Sequence, residues 1–280
     1  MPTIFRKAER AELDTILEWA AAEGWNPGLD DAAPFWAADP EGYWIAEEEG
    51  TIAAAVSLVR YGDTHAFLGL YIAEPAFRGR GIAFDLWQRA LASEPGRTIG
   101  LDGVVAQQAA YLRSGFAYAH ANHRYGGMVE AGEPTGEGIV EVAPVHMQLL
   151  TAYDHRFNPA PRDVFLREWL KDTRTRRSFA LIDGGDVSGF GTIRASHDGF
   201  KIGPLFSDSE TGADLLFRKL VASVGGGQIY LDIPEPNASA RALCERYNMT
   251  PVFETARMYR GTAPDLPLGQ IYGITTFELG

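Results

Sequence analysis

The second half of this chain repeats the first, and that repeat limits the possible folds more than any other feature. Ile229-Tyr230-Leu231-Asp232 echoes Ile99-Gly100-Leu101-Asp102. Cys244, Asn248 and Met249 are spaced as Tyr111, Gly115 and Phe116 are, and at the same offset Arg257 falls on Arg124. Gly203-Pro204-Leu205-Phe206 then matches Gly69-Leu70-Tyr71, and residues 213–221 match the helical pattern of 83–91. A repeat of this length means two copies of one domain, not a solenoid of short units. Between the copies, residues 130–138 are polar, contain Gly and Pro, and lack large apolar side chains, which marks a linker. The boundaries that follow are a first domain at 1–130, a linker at 131–139 and a second domain at 140–280. A chain of 280 residues has room for two ordinary domains.

Within the first copy, residues 68–83 hold the chemistry. Leu68 to Ala73 is an apolar run with the composition of a buried strand. Pro75 ends it, because proline cannot donate to a ladder. Arg78-Gly79-Arg80-Gly81 follows, and Ile82-Ala83 leads into a helical pattern over 83–91. A strand, a glycine loop and a helix start point several backbone N–H groups at one anion. Gly79 and Gly81 allow positive φ and close approach of the backbone, while Arg78 and Arg80 add mobile positive charge. This spacing is a diphosphate cradle; it lacks both the three-glycine dinucleotide fingerprint and the Lys-Ser/Thr pair of a P-loop.

The rest of the first half supplies a scaffold. Residues 9–23 carry Leu13, Ile16, Leu17 and Ala20 on one helical stripe, with Gly24 placed to cap its end. Strands are predicted over 43–46, 52–60, 65–72, 97–101 and 116–125, and a helix over 106–113. The class is α/β, mixed α+β, with a twisted mixed sheet flanked by helices in each copy. The tail over 270–279 reads as a closing strand that ties the halves together.

Charge and composition narrow the partners. The net charge of −12 argues against nucleic acid and anionic membranes, and is compatible with a cationic amine. The single cysteine, Cys244, rules out an intrachain disulfide and points to a reducing, cytoplasmic setting. No apolar run approaches the ~20 residues of a membrane span. The histidines are scattered, and His120 and His123 fall on opposite faces of a strand, so no metal site is expected. Gly225-Gly226-Gly227 follows a helix instead of opening one, which makes it a C-terminal cap.

Arg78-x-x-Gly81-x-Ala83, together with Ala110-Tyr111-Leu112-Arg113-Ser114-Gly115-Phe116, resembles the paired motifs of the GNAT superfamily of acyl-CoA-dependent N-acyltransferases. The second half resembles the C-terminal domain of bacterial two-domain GNAT proteins, through its Gly-Pro-Leu, Leu-Asp-x-Pro-x-x-Asn and Arg-Met-Tyr-Arg-Gly runs. The resemblance implies acetyl transfer from acetyl-CoA to a small-molecule or peptide amine, by direct attack. It assigns cofactor binding to Leu70, Tyr71, Ile72 and Ala73 through their backbone, and to Arg78, Gly79, Arg80, Gly81, Ile82 and Ala83 around the diphosphate. Tyr111 becomes the acid that protonates the departing thiolate, since a phenol stays neutral at physiological pH. Trp25, Phe35 and Trp36 fall in the segment that forms part of the substrate wall, though each could equally plug the core. No general base is named: Glu74, Asp102 and His65 are the nearby candidates, and the repetition of Asp102 as Asp232 favours a structural role for it. The state is monomer or homodimer. A non-catalytic tandem protein that binds acyl-CoA or a metabolite is the rival reading.

The second copy departs where the first carries its chemistry. Its loop, residues 207–212, is shorter, contains Asp208 and Glu210, and has no arginine. Like charge there would repel a diphosphate. Cys244 stands at the tyrosine position. The second half is therefore expected to keep the fold without the cofactor, and to close the acceptor side of the first.

Overall fold

The computed structural model describes residues 2–132, 134 and 138–280. Of the expected linker, Glu133, Thr135, Gly136 and Glu137 lie outside the described residues.

The first half runs β1 (Ile4–Lys7), α1 (Arg10–Ala22), α2 (Ala32–Ala38), β2 (Tyr43–Glu48), β3 (Thr51–Tyr61), β4 (His65–Ala73), α3 (Ile82–Ala92), β5 (Thr98–Val104), α4 (Gln108–Arg113) and β6 (Ala117–Val129). The second runs β7 (Ile139–Glu141), α5 (Met147–Asp154), α6 (Asp163–Trp169), β8 (Arg176–Asp183), β9 (Asp186–Ala195), β10 (Phe200–Ser207), α7 (Glu210–Ser223), β11 (Gly227–Pro234), α8 (Ala238–Arg246), β12 (Thr250–Arg260) and β13 (Ile271–Gly273). The mixed α+β class and the repeat are both evident in that order. Local chemistry sets many of the ends. In α1 the buried stripe is Leu13, Ile16, Leu17 and Ala20, the backbone N–H of Glu9 donates to Glu12 at 2.6 Å, and Gly24 follows at φ 79°. Pro75 stops β4 and starts a single 3₁₀ turn, Pro75–Phe77.

The chain order does not match the sheet order. The strands join in the sequence β1-β2-β3-β4-β5-β12-β6-β11-β10-β9-β8-β7, with β13 on β10. Each half thus lends its last long strand to the other. The second half's β12 pairs with β5 from Thr255–Val104 to Arg260–Ile99, and the first half's β6 pairs with β11 from Val129–Gly227 to Asn122–Pro234. The lent strands also pair with each other. Sequence pattern cannot reveal this exchange, because both strands have similar length, the same period and the same place in their own copy.

Two buried ion pairs fix the exchange. Asp102 on β5 receives Nε and Nη2 of Arg257 on β12 at 2.8 and 2.7 Å, plus the amide of Asn122 at 2.7 Å. Asp232 on β11 receives Nε and Nη2 of Arg124 on β6 at 2.6 and 2.9 Å. Both pairs cross from one half to the other, and they are related by the repeat. Fork-to-fork geometry satisfies both carboxylate oxygens, so each pair offsets much of its desolvation. No helix among the described residues is long and apolar enough to cross a membrane.

Candidate active site

β4 and β5 begin as parallel neighbours, His65 opposite Thr98, and stay paired only as far as Leu68 opposite Leu101. Against β3 the register shifts so that Ala55 faces Ile72 while Ser57 faces Gly69, leaving one extra residue on β4. That is a bulge, and Leu70 inside it takes φ 45°, a region that disfavours a side chain with Cβ. The strained bulge turns β4 away from β5. Beyond Leu68 the edge of Gly69 to Ala73 has no partner strand, and a cleft of about 360 Å³ opens there.

Leu70, Tyr71, Ile72, Ala73, Arg78 and Tyr111, all expected at the site, line this cleft. Tyr111 projects from the short α4, buried beneath Trp87, which stacks on it at 5.5 Å. Its ring lies so close to β5 that a Cβ on Gly103 would sit 2.2 Å from it. Burial, with Tyr71 adding to it, pushes the Tyr111 phenol up to about 12. It is a proton donor that stays protonated and neutral throughout the neutral range.

Of the glycine loop, Arg78 lines the cleft while residues 79–83 do not, and the loop opens α3. Gly79 and Gly81 take φ 75° and 81°, and a Cβ at either position would meet open space. Gly81 is the N-terminal cap of α3 and brings no side chain to the helix N–H groups. A free helix start beside positive-φ glycines suits a diphosphate. Arg78 donates Nε to the Ala73 carbonyl at 3.0 Å and pairs with Glu23, while Arg80 pairs with Glu48 at 2.7 Å. The arginines are thus tethered, not mobile as the loop's composition suggested. Ile82 is buried in the core and Ala83 packs against it, so either would meet a ligand through its backbone.

The remaining wall comes from the second half: Phe253, Thr255, Phe277 and Glu278. Arg124 organises it. Besides its pair with Asp232, it donates Nη1 to the Trp25 carbonyl at 2.8 Å and lies 5.0 Å from the Phe277 ring and 5.7 Å from that of Phe253. Trp25 lines the cleft as expected of the substrate wall, but Phe35 and Trp36 do not. Phe35 stacks on Trp169 and Trp36 on Tyr43 within the core.

The carboxylates weighed as bases are otherwise engaged. Glu74 accepts the Ala76 N–H at 2.7 Å and caps the turn after β4. Asp102 lines the cleft but is held by Arg257 and Asn122. His65 contacts Thr64 and lies outside the cleft. Glu23, which pairs with Arg78, and Glu278 are the lining carboxylates that sequence reasoning missed, and no local motif flags Glu278.

The second copy repeats the bulge but not the opening. Between β9 and β10 the register shifts across Gly203-Pro204, at the matching place. There β13 pairs with β10, Leu205 facing Gly273, and the Ile274 N–H donates to the Asp232 carbonyl at 2.8 Å. The chain's own tail fills the second slot. The start of α7 is likewise capped from within, Ser209 accepting the Gly212 N–H at 3.0 Å.

Comparison with known proteins agrees with this geometry. The profile described as Acetyltransferase (GNAT) family matches residues 10–116, and that described as Acetyltransferase (GNAT) domain matches residues 150–273. The chain belongs to the GNAT family, as a tandem two-domain acyltransferase. It is 30% identical over 276 residues to the holothin acyltransferase of Pseudoalteromonas sp. (strain SANK 73390), covering 98% of this chain and 94% of that one. A candidate acetyltransferase from Pyrococcus horikoshii superposes with a TM-score of 0.83 at 23% identity, over 99% of this chain and 96% of that one. A tandem GNAT protein from the clavulanic acid biosynthesis pathway gives 0.63 at 16% identity, over 94% and 100%.

Proposed function

We propose that the chain transfers an acetyl group from acetyl-CoA to the amine of a small molecule, by direct attack inside the β4–β5 cleft. The observation that carries this reading is the unpaired edge of Gly69 to Ala73, which ends beside Tyr111 and leads to the open start of α3. An extended pantetheine arm suits such an edge as an added strand would, and a diphosphate suits the N–H groups around Gly79 to Ala83. The thioester carbon then lies near the buried end of the cleft. As the C–N bond forms and the C–S bond breaks, the thiolate takes the Tyr111 proton, and the amine gives up its second proton in exchange. A phenol raised by burial is neutral when this happens. The relative named holothin acyltransferase supports acyl transfer as the reaction class.

The test is product formation. Acetyl-CoA is incubated with the full chain and a panel of primary amines, free thiol is followed, and the acetylated amine is identified by mass. Thiol release that depends on an amine supports the reading. Stoichiometric acetyl-CoA binding with no turnover across the panel refutes it in favour of a sensor.

A further inference from the structure

Two buried polar groups line the cleft with no hydrogen-bond partner among the described residues: both carboxylate oxygens of Glu278 and the hydroxyl of Thr255. Both come from the second half. Glu278 is 2% exposed, and its backbone is pinned hard against β4. A Cβ on Gly69 would lie 2.0 Å from the Glu278 carbonyl oxygen, so only glycine admits the tail there. Thr276 accepts the N–H groups of Glu278 and Leu279 at 3.1 and 2.9 Å, and the Tyr61 hydroxyl donates to the Leu279 carbonyl at 3.0 Å. The tail is thus a rigid mount for one carboxylate, 167 positions in chain order from Tyr111, which lines the same cleft.

A buried carboxylate without donors is costly to keep, and native proteins retain one where a ligand will supply them. The charged groups near Glu278 are Arg124 on β6 and Lys201 on β10, with Asp232 on β11 pairing with both. Neither cation forms a hydrogen bond to Glu278; Arg124 is taken up by Asp232 and Trp25. Burial lowers the Lys201 ammonium to about 8, Arg124 adding to the effect. The rings of Trp25, Phe253 and Phe277 line the same cleft as Glu278.

On the reading above, we propose that Glu278 is the general base for the acceptor, and that the acceptor is a primary amine carried on an apolar, aromatic body. The ammonium donates to the Glu278 carboxylate while its ring packs among Trp25, Phe253 and Phe277. Glu278 takes one proton, which leaves a neutral amine to attack the thioester carbon. The thiolate leaves with the Tyr111 proton, the nitrogen's second proton restores Tyr111, and Glu278 releases its own to solvent. One proton is produced per turnover.

The experiment uses the full chain as wild type, Glu278→Gln and Glu278→Ala, with phenethylamine and tyramine as probes and hydroxylamine as a control that is already neutral at pH 7. Turnover with the arylalkyl amines should fall roughly 10²–10⁴-fold in Glu278→Gln, and far less with hydroxylamine, while acetyl-CoA affinity is kept. An equal loss with both kinds of amine would make Glu278 a structural residue, and no loss would remove it from the reaction. The thermal midpoint in the presence of tyramine supplies a readout that needs no turnover. It should rise for wild type and not for Glu278→Gln, and the same response in both overturns the carboxylate site. Failure of the acyltransferase reading is separate, since it appears as acetyl-CoA binding without thiol release from wild type.

Discussion

Gly69→Ala adds one methyl group, and its consequence can be worked from the approach of the tail. The new Cβ would stand 2.0 Å from the Glu278 carbonyl oxygen, 2.9 Å from its carbon and 3.2 Å from its Cα. Non-bonded carbon contacts ordinarily lie near 3.5 Å, so one backbone must retreat by about 1.5 Å. Neither can do so freely. Gly69 is paired with Ser57 on β3, and the tail is tied through Thr276, Tyr61 and the Gly280 N–H, which donates to the Thr276 carbonyl at 3.1 Å. Overpacking of this kind costs about 1–3 kcal/mol. For a chain of this size that corresponds to a fall of roughly 2–12 °C in melting temperature. The carboxylate of Glu278 moves with its backbone, so turnover with an amine should fall at least tenfold. Differential scanning calorimetry and initial rates of thiol release measure the two effects on one preparation. A melting temperature and a rate both equal to wild type would refute the reasoning, because they would mean that the tail yields without cost and holds nothing in place.

Four further outcomes are expected. Gly81→Glu should abolish acetyl-CoA binding in calorimetry by placing a carboxylate at the start of α3; the positive φ of Gly81 adds a backbone cost of about 1–2 kcal/mol, so a modest drop in melting temperature should accompany it. Tyr111→Phe keeps the stack on Trp87 and should lower turnover roughly 10²–10⁴-fold with affinity intact. Because the Tyr111 pKa is raised to about 12, its proton is present at all lower pH, so the wild-type rate should show no loss from this group up to about pH 10; an alkaline limb below pH 9 that disappears in Tyr111→Phe would contradict this. Calorimetry should give one acetyl-CoA per chain, since β13 fills the second slot, and two sites would mean that the tail is displaced.

The repeat and both sets of motif residues were legible because each is a local pattern: Asp102 and Asp232 each lie two residues before the end of matching strands, and Tyr111 sits near a helix end that glycine closes. The bulge at Leu70 left no such mark, since leucine is not the residue that φ 45° favours. The partners of β5 and β6 were hidden for a different reason. Strand pattern reports which face is buried, and β6 and β12 present equivalent faces to either neighbour. Glu278 was beyond reach altogether, because its role comes from a tail that crosses Gly69 more than two hundred residues away in the chain. Cys244 at the tyrosine position and the arginine-free loop at residues 207–212 mark where the copies differ, but not the tail that pairs with β10 in the second one.

The lending of β12 to the first half sets a timetable for synthesis. When a ribosome has made residues 1–130, β5 has no neighbour on one side, and Asp102 lacks the arginine that neutralises it. At roughly 5–20 residues per second, Arg257 emerges about 6–25 s later. Until then the nascent first half carries an open strand edge and a cleft with one wall missing. It can bind neither substrate in the finished geometry, and an open edge is a place where unfinished chains adhere to one another. The first half therefore matures only once β12 has emerged.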